Sequence, residues 1–175
     1  MIPEMARTTS SRRAARESAL RVLYTVDVGK NPVEEVLTET LEAHGLDEKT
    51  AEFTRILVAG TLRNQGEIDS ELDRIATGFP TERQTAVDRN ILRLAAAEIL
   101  FSVSDAPPGA VVNEAVELAK KYSTAESGRF VNGVLGTLVR EAEARGIPMV
   151  AEETATDEEM DEGDFGLPDE EGEAE

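Results

Sequence analysis

From Ser11 to Arg145 the apolar residues recur at intervals of three and four, and no stretch of useful length alternates apolar with polar. Such a pattern buries one stripe of each helix against its neighbours, so it specifies an all-α fold. Glycine, asparagine and proline divide the chain into seven helices. The first runs from about Ser11 to Val28, with Ala15, Ala19, Val22, Leu23 and Val26 on one face and Gly29 as its stop. Asn31-Pro32 reads as an N-cap followed by proline at the first helical position of a second helix that stops at Gly45. Asp47 begins a third, which breaks near Asn64-Gln-Gly66, and a fourth covers Ile68, Leu72 and Ile75 and ends before Gly78-Phe-Pro80. A long amphipathic helix follows from about Arg83 to Ser102, with Val87, Ile91, Leu94, Ala95, Glu98 and Ile99 near one stripe, until Pro107-Pro108 forces an extended connection. The last two helices run from Ala110 to Tyr122 and from Ser127 to Arg145, separated by Ser123-Thr-Ala-Glu126, whose side chains suit an N-cap and first turn. Links this short let seven helices close into one compact domain.

The 175 residues contain no Trp and no Cys, and 40% are hydrophobic, enough for a proper core and too poor in aromatics to favour strands. The missing cysteines exclude a disulfide scaffold and thiolate metal sites. No apolar run approaches the roughly 18 residues of a membrane span, and the first ten residues lack the hydrophobic centre of a signal peptide, so a soluble, cytoplasmic protein is expected.

A formal charge of −18 argues at first against a nucleic-acid partner. Thirteen acids and no bases lie from Val150 onward, which leaves 23 acids against 18 bases elsewhere, a net −5. The first 23 residues hold Arg7, Arg12, Arg13, Arg16 and Arg21 against Glu4 and Glu17. The expected organisation is a flexible N-terminus over 1–10, a helical domain over 11–148 and a disordered acidic tail over 149–175, where scattered apolar residues could not offset the entropy of ordering. Asp157-Glu-Glu-Met-Asp-Glu-Gly-Asp164 is no calcium loop, because Glu162 stands where the loop needs glycine. The tail reads as a solubility segment or as an RNA mimic that competes for the arginines.

Arg12, Arg13 and Arg16 fall within about 100° of helix circumference, so they can present one positive surface while Ala15 and Ala19 face the core. Cations in a first helical turn oppose the macrodipole at about 0.3–1 kcal/mol each, and phosphate would give a reason for them; a solvated arginine face is the alternative. Arg129-Phe130 offers a base-stacking ring beside a cation, with Lys120 and Lys121 just before the break, yet phenylalanine at the start of an apolar helix also suits the core. Asn132-Gly133 reads as a close helix-packing feature. The single histidine, His44, sits at a helix end and reads as a C-terminal cap contributor rather than a base. There is no phosphate-cradling Gly-Lys loop, dinucleotide fingerprint or histidine-containing metal spacing, and neither catalysis nor a cofactor is expected.

Four segments, Arg12-Arg-Ala-Ala-Arg-Glu-Ser-Ala-Leu-Arg-Val-Leu-Tyr24, Val87-Asp-Arg-Asn-Ile-Leu-Arg-Leu-Ala-Ala-Ala-Glu98, Val112-Asn-Glu-Ala-Val-Glu-Leu-Ala-Lys120 and Arg129-Phe-Val-Asn-Gly-Val-Leu135, together resemble the transcription antitermination factor NusB family. The resemblance spans Ser10 to Glu143. It implies two small helical bundles packed together, binding of single-stranded boxA-type RNA from ribosomal-operon leaders with NusE, a small-subunit ribosomal protein, and action on the transcription elongation complex. It implies RNA contact by Arg12, Arg13, Arg16, Lys120, Lys121, Arg129 and Phe130, and a partner surface on the Thr81 to Glu98 segment, with Asp88 and Arg89 as exposed charges that pair across it. Ala14 and Ala15 interrupt a basic cluster that is denser in many relatives. Some relatives self-associate through the RNA surface, which leaves a homodimer open. Two other readings stand beside this one: a helical adaptor that binds only protein, and a helical RNA-binding module of the kind fused to some ribosomal-RNA cytosine methyltransferases, for whose cofactor domain this chain has no length.

Overall fold

The structure, a computed structural model, describes residues 11–149; the expected flexible N-terminus and the expected acidic tail lie outside the described residues, except Met149, which packs against the core. Seven α-helices follow in order: α1 Ser11–Gly29, α2 Val33–His44, α3 Glu48–Arg63, α4 Gln65–Ile75, α5 Ala86–Phe101, α6 Pro108–Tyr122 and α7 Ala125–Ala144, with one 3-10 turn at Thr81–Arg83 and no strand among the described residues. Helices α1 to α3 pack together and α4 to α7 pack together, and α1 and α3 both rest on α5. The expected two-bundle, all-α architecture is present.

The helix ends show where local chemistry wins. Asp47 accepts the Thr50 N–H at 2.7 Å, Thr85 that of Asp88 at 3.2 Å and Thr124 that of Ser127 at 3.0 Å, which satisfies first-turn donors of α3, α5 and α7. Gly45 closes α2 in the left-handed conformation, φ 57°. Several expected ends move. Pro32 is the cap of α2 and not its first helical residue, so Asn31 does not cap it. Gly29 stays helical and Lys30 takes the left-handed φ of 55°; a Cβ at Gly29 would come within 2.8 Å of the exposed Asn31 amide, which would have to turn aside. Asn64 alone separates α3 from α4, its side chain donating to the Gly60 carbonyl at 2.8 Å, so Gly66 is helical. The expected start of α5 at Arg83 belongs to the 3-10 turn instead.

The largest departure is α5 itself. Every residue from Asn90 to Ile99 is buried, so this helix is enclosed on all sides rather than along one stripe. Its polar members are paired. Arg93 donates to both Asp69 oxygens at 2.8 and 2.9 Å, Asn90 donates to Asp27 at 2.9 Å, and Glu98 meets Arg16. One apolar cluster, including Leu23, Val36, Leu57, Leu72, Leu94, Leu118 and Leu135, runs through all seven helices.

Candidate nucleic-acid interface

Helix α1 presents its first turns beside α6. Arg13 donates to both oxygens of Glu114 at 3.1 and 2.8 Å, and the hydrogen bond from Arg13 holds that carboxyl below the usual carboxylate range. Arg12 meets Asp105, on the connection between α5 and α6, at 2.7 Å, and its guanidinium lies 4.8 Å from the centre of the Phe53 ring. These acids offset the cost of two arginines in a first helical turn, so the macrodipole argument does not by itself require phosphate. Both arginines keep about half of their side-chain surface open.

Arg16 departs from the expected positive surface. Its side chain is 7% exposed and Glu98 is 1% exposed; Nε and the terminal nitrogen reach the carboxylate at 3.0 and 2.7 Å, and the Ser104 hydroxyl donates to the same carboxylate at 2.7 Å. Arg16 therefore ties α1 to the end of α5 and to the following connection.

The lysines flank this end from α6. Lys121 pairs with Glu17 at 2.8 Å, and that hydrogen bond raises its pKa, while the Tyr122 hydroxyl donates to the other Glu17 oxygen at 3.1 Å. Burial, followed by Glu17, pushes the Tyr122 phenol up. Lys120 pairs with Glu117 of its own helix at 3.6 Å and lays its stem over Gly128, where a Cβ would sit 3.1 Å from Lys120 Cγ. Contacts thus join α1, α6 and the start of α7 along one side of the domain.

Arg129 is exposed on the first turns of α7, and Phe130 is half-buried against the core, its ring edge-on to Phe79 at 5.6 Å. Asn132 and Gly133 are exposed with open space where a glycine Cβ would stand, so the expected close packing there is absent. Close approach occurs instead at Gly60, where a Cβ would lie 2.7 Å from both Val103 methyls.

Asp88 and Arg89 do not form the expected exposed pair. Asp88 is 6% exposed and accepts from the Ser127 hydroxyl at 2.9 Å; Arg89 reaches Asp27 at 2.5 Å. Burial alone would push the Asp27 carboxyl up, but hydrogen bonds from Arg89 and Asn90 outweigh it and hold it low. His44 does not cap α2 either: Gly45 does, and His44 Nδ1 shares a 2.6 Å hydrogen bond with Ser18 of α1, burial lowering its pKa.

The sequence reading missed a groove of about 580 Å³ along the outer side of α1, walled by Glu17, Leu20, Tyr24, Leu46, Val87 and Tyr122 among others. Tyr24 and Tyr122 are 40% and 46% exposed, and two open aromatics on neighbouring helices were its only signal in the sequence. No group of three or more metal-ligating side chains gathers among the described residues, and no helix there is long and apolar enough to cross a membrane.

The NusB family model matches residues 13–140. A transcription antitermination protein NusB of Heliobacterium modesticaldum is 46% identical over 146 residues, covering 83% of this chain and 70% of that protein. One from Pelotomaculum thermopropionicum is 46% identical over 133 residues, covering 76% and 92%. A solved structure of antitermination factors NusB and NusE in complex with dsRNA includes a chain with 34% identity and a TM-score of 0.70, covering 75% of this chain and 97% of that one. With the family model spanning most of the helical domain and such relatives alongside it, the chain belongs to the NusB family, transcription antitermination proteins and not enzymes.

Proposed function

We propose that this protein binds boxA-type leader RNA of ribosomal RNA operons together with a NusE ribosomal protein and acts with them on the transcription elongation complex in the cytoplasm. The carrying observation is the half-open pair Arg12 and Arg13 at the start of α1, with Lys121 on the adjoining α6. Half-exposed guanidinium groups, Arg12 ion-paired to the open Asp105 and Arg13 hydrogen-bonded to the partly buried Glu114, can exchange those acceptors for phosphate oxygens, because an ion pair at the surface stabilises by only about 0.2–1 kcal/mol. Arg129 extends the cationic side, and the half-buried Phe130 ring beside Phe79 gives the edge of a stacking surface. The related NusB and NusE complex with dsRNA supports both ligand classes.

For NusE we assign the groove between Tyr24 and Tyr122, bounded by Val87 at the start of α5. Its apolar walls and two tyrosine rims suit a folded protein partner, whereas the buried Asp88 and the engaged Arg89 do not offer a docking pair.

The test is fluorescence anisotropy of boxA-containing and scrambled RNA, with and without NusE, across a salt series, using the intact protein and an Arg12→Ala/Arg13→Ala variant. Sequence-selective binding that NusE strengthens and the variant loses is expected. Equal weak binding to both RNAs, indifferent to NusE and to the variant, overturns the reading and leaves a helical adaptor that binds only protein.

A further inference from the structure

Glu17 lies on α1 one turn beyond Arg13 and is shared by both candidate surfaces. One carboxylate oxygen accepts from Lys121 Nζ at 2.8 Å, the other from the Tyr122 hydroxyl at 3.1 Å. Glu17 and Tyr122 also wall the groove, while Lys121 belongs to the cationic side and is more than half exposed. A single carboxylate therefore separates the group that would meet phosphate from the wall that would meet protein.

We propose that Glu17 couples RNA binding to partner binding, the Glu17, Lys121 and Tyr122 cluster being closed in the free protein and opened by either ligand for the benefit of the other. The proposal rests on the two-ligand reading above. A phosphate that takes Lys121 leaves the Glu17 carboxylate with one donor fewer, at the groove wall, where a cationic or amide donor of NusE can pair with it. A donor from NusE that takes Glu17 first releases Lys121 for phosphate. The cost of opening the cluster falls on whichever ligand arrives first, so the second binds more tightly, and by linkage the factor is the same in both directions. Lys120 supplies an internal contrast, because its partner Glu117 lies on its own helix and is not among the groove walls. The raised pKa of Lys121 keeps it charged throughout the neutral range.

The cluster is exposed to solvent, which limits the coupling it can carry to about two- to fivefold. The experiment measures the affinity of boxA RNA for the intact protein without NusE and with saturating NusE, and takes the ratio. Glu17→Gln should tighten RNA binding by the protein alone and reduce the ratio by about two- to fivefold, and the RNA-induced gain in NusE affinity should fall by the same factor. Glu117→Gln should leave the ratio at the wild-type value. Tyr122→Phe, which removes one donor to Glu17 and adds no charge, should shift the ratio in the same direction by less, and it decides the matter should Glu17→Gln fail to fold by circular dichroism. A wild-type ratio well above one that neither variant changes overturns the coupling role and leaves the functional reading standing. A wild-type protein that shows neither selective RNA binding nor a NusE effect overturns both.

Discussion

Arg16 and Glu98 bring opposite charges to a buried place that water hardly reaches, and each supplies most of the other's hydrogen bonds. Removing one member leaves the other buried and unpaired, so Arg16→Met alone or Glu98→Leu alone should lower unfolding free energy in urea by roughly 3–5 kcal/mol. The double variant exchanges the pair for apolar side chains and should recover most of that loss. Because Arg16 meets Glu98 and not solvent, the folded double variant should also keep the wild-type slope of log K for RNA against log salt. Arg12→Ala or Arg13→Ala should each reduce that slope by about 0.7 for a single-stranded RNA, one phosphate contact apiece. A reduced slope in the double variant would return Arg16 to the phosphate contacts. Helical spacing could not distinguish Arg16 from Arg12, four residues earlier on the same side. The distinguishing signals were Leu20 and Leu23, which extend a buried stripe back to Arg16, and Glu98, an acid within the apolar pattern of α5. Asp88 was unreadable for the converse reason, since its burial comes from the start of α7, 39 residues away in the chain.

At the scale of the element, two glycines within helices should respond in opposite ways to the same substitution. Gly60 of α3 lies against Val103, on the connection that also carries Asp105, and a Cβ would meet both valine methyls at 2.7 Å. Overpacking of this kind costs about 1–3 kcal/mol, against about 1 kcal/mol gained from the helix propensity of alanine, so Gly60→Ala should be neutral to destabilising by up to about 2 kcal/mol. Gly133 in α7 has open space at the Cβ position, and Gly133→Ala should stabilise by about 0.8–1 kcal/mol. Urea denaturation of the two variants checks this, and stabilisation by Gly60→Ala would show that Val103 yields freely. The helices themselves were legible because period and punctuation are local. Thr124 capping α7 and Gly45 closing α2 follow from residue type. The all-round burial of α5 was not legible, because its polar residues find partners on α1 and α4, and the pattern along one helix records only its own composition.

Across the whole molecule, α5 decides whether the two bundles behave as one body. It is enclosed by α1 and α3 on one side and by α4, α6 and α7 on the others, and the apolar cluster passes through it without a break. Neither bundle can separate without exposing α5 and the Arg16–Glu98 and Arg93–Asp27 contacts that cross between them. The resemblance to a two-bundle family implied the pairing of the halves, but residue spacing carried no sign of this shared helix. The chain contains two tyrosines and no tryptophan, with Tyr24 on α1 of the first bundle and Tyr122 on α6 of the second. Tyr122→Phe and Tyr24→Phe therefore each leave one tyrosine, on α1 or on α6, beside the groove where the two bundles meet. If α5 makes a single cooperative unit, the tyrosine signal in each variant should follow the same urea transition as its helical circular dichroism, and the wild-type calorimetric enthalpy should equal the van't Hoff value. Tyrosine signals in both variants that change at lower urea than the helical signal would mean that the groove between the bundles opens first and that the core at α5 is a docking surface between two separately stable halves.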